Sequence, residues 1–137
     1  MKLRDVLQDP DSRVEGVIVV FDINGATLMK EMADETDWLH AFACFYDGVV
    51  KHVTDTGGTV IKYFADGIIA FYDMGSTASA INAAILVQED MVEANYQNKM
   101  PLSCAIGIAE GKLRRFATAN GNIDYIGKVI DKAARLS

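Results

Sequence analysis

The sequence contains little that would direct it to a membrane or to nucleic acid. No apolar run approaches the length needed to cross a bilayer, and no apolar signal segment stands at the N-terminus. The net charge is −6 and no basic stripe is present to meet phosphate backbones, which excludes a general nucleic-acid binder. We therefore expect a cytoplasmic protein with no membrane partner and no nucleic-acid partner.

Cysteine is also scarce. Cys44 and Cys104 are the only two, and no Cys–His cluster accompanies them, so neither a disulfide framework nor a thiolate metal site is indicated. Cys44 falls in a helical pattern and Cys104 in an apolar strand, and we predict that both are buried free thiols.

Hydrophobic residues are abundant, at 50% of the 137 residues, which is ample for one compact core and argues against disorder. Residues 1–15 are mixed polar and are predicted to form an N-terminal arm. Residues 16–137 are predicted to form a single domain.

Hydrophobic periodicity predicts the element order β-α-α-β-β-α-β-β-α. The predicted strands cover residues 17–22, 59–64, 68–72, 102–109 and 113–119, and the predicted helices cover 26–36, 38–53, 76–96 and 128–136. This order favours an α+β fold of the ferredoxin-like kind, with an antiparallel sheet and helices packed on one face.

Two aspartates stand where apolar strands run into turns. Asp22 closes the strand that begins at Val17, and Asp66 lies in the short link of the predicted hairpin. Either residue alone is typical of a turn former or helix cap. An acidic group at the lip of a buried sheet is costly to desolvate alone, and two on neighbouring strands can hold a pair of divalent metal ions.

Three stretches together resemble the catalytic domain of the class III nucleotidyl cyclases, the adenylate and guanylate cyclase superfamily. Residues 21–27 (FDINGAT) resemble its first metal motif, DIxGFT. Residues 57–66 (GGTVIKYFAD) resemble its second, GGxxxK followed four residues later by the other metal aspartate. Residues 124–127 (DYIG) and 131–136 (DKAARL) resemble its third, DxxGxxVNxAxRL. The similarity runs from about residue 17 to the C-terminus.

The resemblance implies a metal-dependent reaction centre. Asp22, Asp66 and the backbone carbonyl of Ile23 would hold two Mg²⁺ or Mn²⁺ ions, which would lower the pKa of the ribose 3′-hydroxyl and neutralise the β- and γ-phosphates. Arg135 would face the α-phosphate and stabilise its developing charge.

The resemblance also implies how the rest of the nucleotide is held. Lys62 and Asp124 stand where this family binds the edge of the nucleobase, and Asp131 stands at the position that orients the ribose. The triphosphate would lie against backbone amides at a helix start, those of Asn24, Gly25, Ala26 and Thr27.

In this family the active site lies between two domains arranged head to tail. The metal aspartates come from one chain, and the base-binding pair and the arginine come from the other. The resemblance therefore implies a homodimer with two shared active sites.

Several positions depart from the family pattern. Asp131 replaces the ribose-orienting asparagine, and an ionised carboxylate accepts hydrogen bonds but donates none. Ala26 replaces an aromatic residue, and Ala65 replaces the glycine before Asp66. Family members normally continue through further strands that supply a phosphate-binding lysine, so we expect either a piece of a longer protein or a relative with an abbreviated C-terminal part.

The sequence leaves more than one candidate for the nucleobase of the substrate and for the activity. The Lys62–Asp124 pair is the one this superfamily uses for adenine, which favours ATP. The altered ribose position and the absence of a fused sensor domain resemble instead the pyrimidine cyclases of bacterial antiphage signalling, the Pycsar systems. We favour UTP as substrate and cyclic UMP as product, ahead of cyclic CMP, with ATP and cyclic AMP as the alternative.

An inactive cyclase fold that serves dimerisation or nucleotide sensing is a further alternative, favoured by Asp131 and opposed by the retained Asp22, Asp66 and Arg135. A GGDEF-type diguanylate synthase is disfavoured, because residues 64–67 (FADG) occupy the hairpin where its motif would stand.

Overall fold

The computed structural model describes residues 3–6, 8–98 and 103–137, and its central feature is one antiparallel five-stranded sheet in the order β2-β3-β1-β4-β5. The strands are β1 (Arg13–Asn24), β2 (Thr59–Phe64), β3 (Gly67–Asp73), β4 (Ser103–Ala117) and β5 (Ile123–Ile126). The helices are α1 (Leu3–Val6), α2 (Ala26–Met32), α3 (Glu35–Asp55), α4 (Thr77–Asn98) and α5 (Lys128–Leu136). The predicted α+β class and ferredoxin-like sheet are confirmed.

Helices cover both faces of the sheet, whereas the sequence pattern predicted helices on one face. The unbroken apolar run of β1 is buried on both sides: Val17, Val19 and Phe21 pack with α2, α3 and α4. Ile18 and Val20 pack with α5 on the opposite face. A central strand that is apolar at every position is typical of a sheet covered on both sides, and this explains the difference.

The long strand β4 replaces two shorter predicted strands. The predicted break near Gly111 is absent, since Gly111 pairs with Gly16 within a continuous ladder from Ser103 to Arg114. A Cβ at Gly111 would lie 3.1 Å from Cβ of Val129, so the glycine here makes room for α5 rather than forming a turn. The start of the predicted strand at residue 102 lies outside the described residues. The fifth strand is β5, at residues for which no strand was predicted.

The segment before β1 packs against β4. Val6 is fully buried, and the guanidinium of Arg114 donates to the carbonyl of Asp9 at 3.2 Å and to Oγ of Ser12 at 3.0 Å. Strand β1 already begins at Arg13, inside the predicted arm. The boundary between arm and domain stays a prediction.

The two cysteines differ in exposure. Cys104 is buried in the core, as predicted, but Cys44 is exposed on α3, because it lies on the helix face turned away from the sheet. Among the described residues no helix is long and apolar enough to cross a membrane.

Candidate active site

The ends of β1 and of the β2–β3 hairpin bring Asp22 and Asp66 together. Asp22 pairs with Gly67 across the β1–β3 ladder, and Asp66 precedes Gly67 in the two-residue turn after Phe64. The backbone N–H of Ile23 donates to the carbonyl of Asp66 at 2.7 Å. The turn is therefore tied to the end of β1, and the carboxylates of Asp22 and Asp66 lie at this end of β1 and β3. We call this site the carboxylate corner.

No basic side chain of the described residues compensates the two negative charges at this corner. Burial raises the pKa of the Asp22 carboxyl, and the negative charge of Asp66 raises it further. Within the part of the chain that the structure describes, neither carboxylate forms an ion pair with a basic side chain. A bound cation would relieve both the desolvation and the repulsion, so the corner is electrostatically suited to one.

The donor set fits a hard divalent ion. Carboxylate and carbonyl oxygens are the ligands that Mg²⁺ and Mn²⁺ prefer, and Asp22, Asp66 and the carbonyl of Ile23 supply only oxygen. No group of three or more His, Cys, Asp or Glu side chains with metal-binding geometry is found among the described residues. A two-carboxylate site needs its remaining ligands from water or from substrate phosphates, which is how Mg²⁺ is usually held beside nucleotides.

The second predicted pair is formed within the same chain. Nζ of Lys62 lies 3.0 Å from Oδ1 of Asp124, and both side chains are partly exposed, at 41% and 31%. Burial acts to raise the pKa of Asp124, but the hydrogen bond from Lys62, the N–H of Tyr125 and the charge of Lys62 together hold it below its usual value. Asp124 is thus an ionised acceptor next to a cationic donor.

A β-bulge aims Lys62 at its partner. The β2–β3 register shifts between Val60 and Lys62, so that Ile61 is the extra residue. Val60 packs with the α2–α4 side of the sheet, and Ile61 packs with the α5 side. In a regular strand the next residue, Lys62, would return to the α2–α4 side. The bulge interrupts this alternation, and Lys62 reaches Asp124 on the α5 side.

The Lys62–Asp124 contact requires the sheet to bend, because β2 and β5 are its two outer strands. The ring of Tyr125 in β5 stacks on that of Phe71 in β3, with centroids 5.8 Å apart. A Cβ at Gly16 in β1 would overlap the ring of Phe71, so the glycine leaves room for the aromatic pair to pack on the sheet. The hairpin of β4 and β5 therefore folds back over the α5 face.

Arg135 and Asp131 lie on α5, whose N-terminus follows Gly127. Both side chains are exposed, while Val129 and Ala133 are buried against the sheet. Neither Arg135 nor Asp131 has a hydrogen-bonding or ionic partner among the described residues. The structure does not bring either of them into contact with the Asp22–Asp66 corner.

The predicted phosphate segment forms the junction of β1 and α2. Asn24 and Thr27 are exposed, Ala26 is buried, and Gly25 caps α2 with φ of 83°, a left-handed conformation that favours glycine. This segment begins two residues after Asp22, so its amides lie beside the carboxylate corner.

Tyr46 belongs to this corner, although sequence periodicity assigned it only to the apolar face of a helix. Its hydroxyl donates to the carbonyls of Phe64 and Ala65, at 3.2 and 2.9 Å. Burial raises the pKa of Tyr46, and the charge of Asp66 raises it further. A tyrosine in place of an aliphatic residue on that face was the one signal that the sequence offered.

An open apolar groove lies elsewhere, between α4 and β4. Its volume is about 540 Å³, and Ile81, Ile85, Val92, Ile106 and Ile108 are among its lining residues. None of the predicted site residues lines this groove.

Comparison with known proteins identifies the fold. No protein-family model matches the chain. An adenylate cyclase from Anabaena cylindrica is 28% identical over an alignment of 130 residues, which covers 87% of this chain and 26% of that protein. A bacterial light-regulated adenylyl cyclase superposes with a TM-score of 0.81 at 18% identity, over 90% of this chain and 39% of that one. The guanylyl cyclase Cya2 gives 0.79 at 19% identity, over 90% of this chain and 68% of that one.

The chain therefore has the fold of adenylyl and guanylyl cyclase catalytic domains, and the resemblance found in its sequence is confirmed at the level of the fold. It spans about a quarter of the length of its curated relative.

Proposed function

We propose that this chain is the catalytic domain of a nucleotidyl cyclase, which converts a nucleoside triphosphate to a 3′,5′-cyclic nucleotide and pyrophosphate. The observation that carries the proposal is the corner at which Asp22 and Asp66 meet with no basic side chain of the described residues paired to them. A fold shared with adenylyl and guanylyl cyclases supports it. In the reaction the ribose 3′-oxygen bonds to the α-phosphorus, the bond to pyrophosphate breaks, and the 3′-hydroxyl proton is lost.

In this proposal the acidic residues bind the metal ions and the basic residue stabilises the phosphate. Asp22, Asp66 and the carbonyl of Ile23 hold two divalent ions, Mg²⁺ or Mn²⁺. When bound, such ions lower the pKa of the ribose 3′-hydroxyl and neutralise the charge of the phosphates. Arg135 stabilises the charge that develops on the α-phosphate through planar N–H donors.

The remaining contacts orient the nucleotide. Lys62 donates to the edge of the base and Asp124 accepts from it, a polarity supported by the ionised state of Asp124. Asp131 accepts from the ribose hydroxyls. The amides of residues 24–27 bind the triphosphate.

Two bases fit this donor and acceptor order. Uracil would accept at O4 from Lys62 and donate from N3–H to Asp124, and adenine offers the same polarity on a larger ring. We favour UTP as substrate, with cyclic UMP as a messenger of bacterial antiphage defence, on the strength of the Pycsar resemblance. ATP is the second candidate, and the adenylate cyclase relative supports it.

The proposed active unit is a head-to-tail homodimer in the cytoplasm. Arg135 and Asp131 have no partner among the described residues of their own chain, which supports a role for them across an interface.

The test is to incubate the purified protein with each of the four ribonucleoside triphosphates and Mn²⁺, and to identify the products by mass spectrometry. Cyclic UMP as the main product is the expected result, and cyclic AMP as the main product would assign the base to adenine. No cyclic product from any triphosphate would favour the inactive-module alternative. Asp22→Ala is the matched control, since it should abolish any turnover while keeping the fold.

A mixing experiment tests the shared site. Asp22→Ala and Arg135→Ala, each inactive alone, should regain part of the activity together, because a mixed dimer contains one intact composite site. No recovery after demonstrated subunit exchange would show that each chain carries a complete site.

A further inference from the structure

Helix α3 supports both segments that carry the carboxylate corner, through one ridge of aromatic rings. Trp38, Phe42 and Tyr46 recur at four-residue spacing, with ring centroids 5.9 and 6.1 Å apart. Nζ of Lys30 on α2 lies 5.4 Å from the centroid of Trp38 and 5.2 Å from that of Phe42, which anchors α2 to one end of the ridge.

The other end of the ridge holds the hairpin. The hydroxyl of Tyr46 donates to the carbonyls of Phe64 and Ala65, the two residues directly before Asp66. Its ring also lies 6.0 Å from that of Tyr63 in β2. A two-residue turn has few contacts of its own, so this hydroxyl is its main tie to the helical layer, while the bond from Ile23 ties it to β1.

We propose that Tyr46 is a positioning residue that holds the β2–β3 turn so that the carboxylate of Asp66 stays beside that of Asp22. The inference rests on the proposed function, in which the two carboxylates bind divalent ions together. Tyr46 itself touches backbone carbonyls rather than metal or substrate, and it acts through the geometry of the turn. Groups that orient metal ligands in this way commonly change metal affinity by about 10–100-fold.

The experiment compares Tyr46→Phe with Tyr63→Phe in the full chain. Both changes remove one hydroxyl from the same ring pair, but the Tyr63 hydroxyl has no partner among the described residues. Mn²⁺ binding is measured by calorimetry, and amide hydrogen exchange of residues 64–67 is measured without metal. We expect Tyr46→Phe to bind Mn²⁺ about tenfold more weakly and to exchange about tenfold faster in the turn, with Tyr63→Phe close to wild type.

The two measurements separate the proposals. A uniform rise in exchange over the whole chain, with unchanged Mn²⁺ affinity, would show a merely structural hydroxyl and overturn the proposal. Unchanged exchange in the turn would overturn it as well. Wild-type protein that binds no Mn²⁺ would count against the proposed metal pair, while the exchange comparison would still decide whether Tyr46 holds the turn.

Discussion

Because α5 packs closely on β4, we predict that replacing Gly107 by alanine destabilises the fold much more than replacing Gly111 by alanine. A Cβ at Gly107 would overlap the carbonyl oxygen of Ala133 and come within 2.7 Å of the backbone nitrogen of Ser137. Both obstacles are backbone, so relief requires α5 to move away from the sheet. At Gly111 a Cβ would meet only the side chain of Val129, at 3.1 Å, which can yield by a few tenths of an ångström.

The magnitudes follow from the kind of obstacle. Overpacking of a core costs about 1–3 kcal/mol, and we place Gly107→Ala at the upper end, about 3 kcal/mol, because neither obstacle can rotate aside. Gly111→Ala should cost about 1 kcal/mol or less. For a domain of this size, about 3 kcal/mol corresponds to a fall in Tm of roughly 10 °C.

Urea denaturation followed by circular dichroism measures both free energies of unfolding, and hydrogen exchange in α5 shows where the strain is released. We expect Gly107→Ala to lose protection in α5 first, and with it the placement of Arg135. If Gly107→Ala is as stable as Gly111→Ala, the close approach of α5 to β4 is wrong.

Three further predictions follow from the charges. Asp22→Asn should raise the stability of the metal-free protein at pH 7, because it removes a carboxyl whose pKa is raised by burial and by a like charge. The gain should stay below about 1 kcal/mol, since the carboxyl is only partly buried and solvent screens the repulsion. Wild-type Asp22 favours folding only when protonated, so the gain should vanish in denaturation curves as the pH falls below the ordinary value of 3.8. Lys62→Met should cost less than about 1 kcal/mol because its ion pair is partly exposed and solvent screens it, and that cost should disappear at acid pH as Asp124 is protonated. Finally, Cys104 should resist thiol reagents at pH 8 in the folded protein, since burial raises its pKa to about 12, whereas exposed Cys44 should react; rapid labelling of both would contradict the buried position of Cys104.

Much of the fold follows from patterns that are local in the chain. The two apolar runs 59–64 and 68–72 around the short link 65–67 predicted the β2–β3 hairpin, and helical periodicity predicted α5 with the bounds the structure has. Asp22 and Asp66 were found because each ends an apolar strand at a turn. These features depend on the backbone preferences of the residues and on the spacing of apolar side chains, and both are set by residues that are close together in the chain.

The pairing of distant residues was decided only by the tertiary structure. Gly111 lies in the gap between the predicted strands 102–109 and 113–119, and only its position under Val129 shows why it stands within one continuous strand. The bulge at Ile61 and the return of β5 across the sheet bring Lys62 to Asp124, although the two belong to opposite edge strands.

Tyr46 also shows the difference between what the sequence predicts and what only the tertiary structure decides. Its place in α3 follows from a helical period, but the two carbonyls that accept from its hydroxyl lie 18 and 19 residues further along the chain. The sequence by itself determined which elements form and which residues carry charge at their ends. The faces on which those elements pack, and the partners their polar groups meet, depend on contacts between segments far apart in the chain, and no local pattern of residues encodes them.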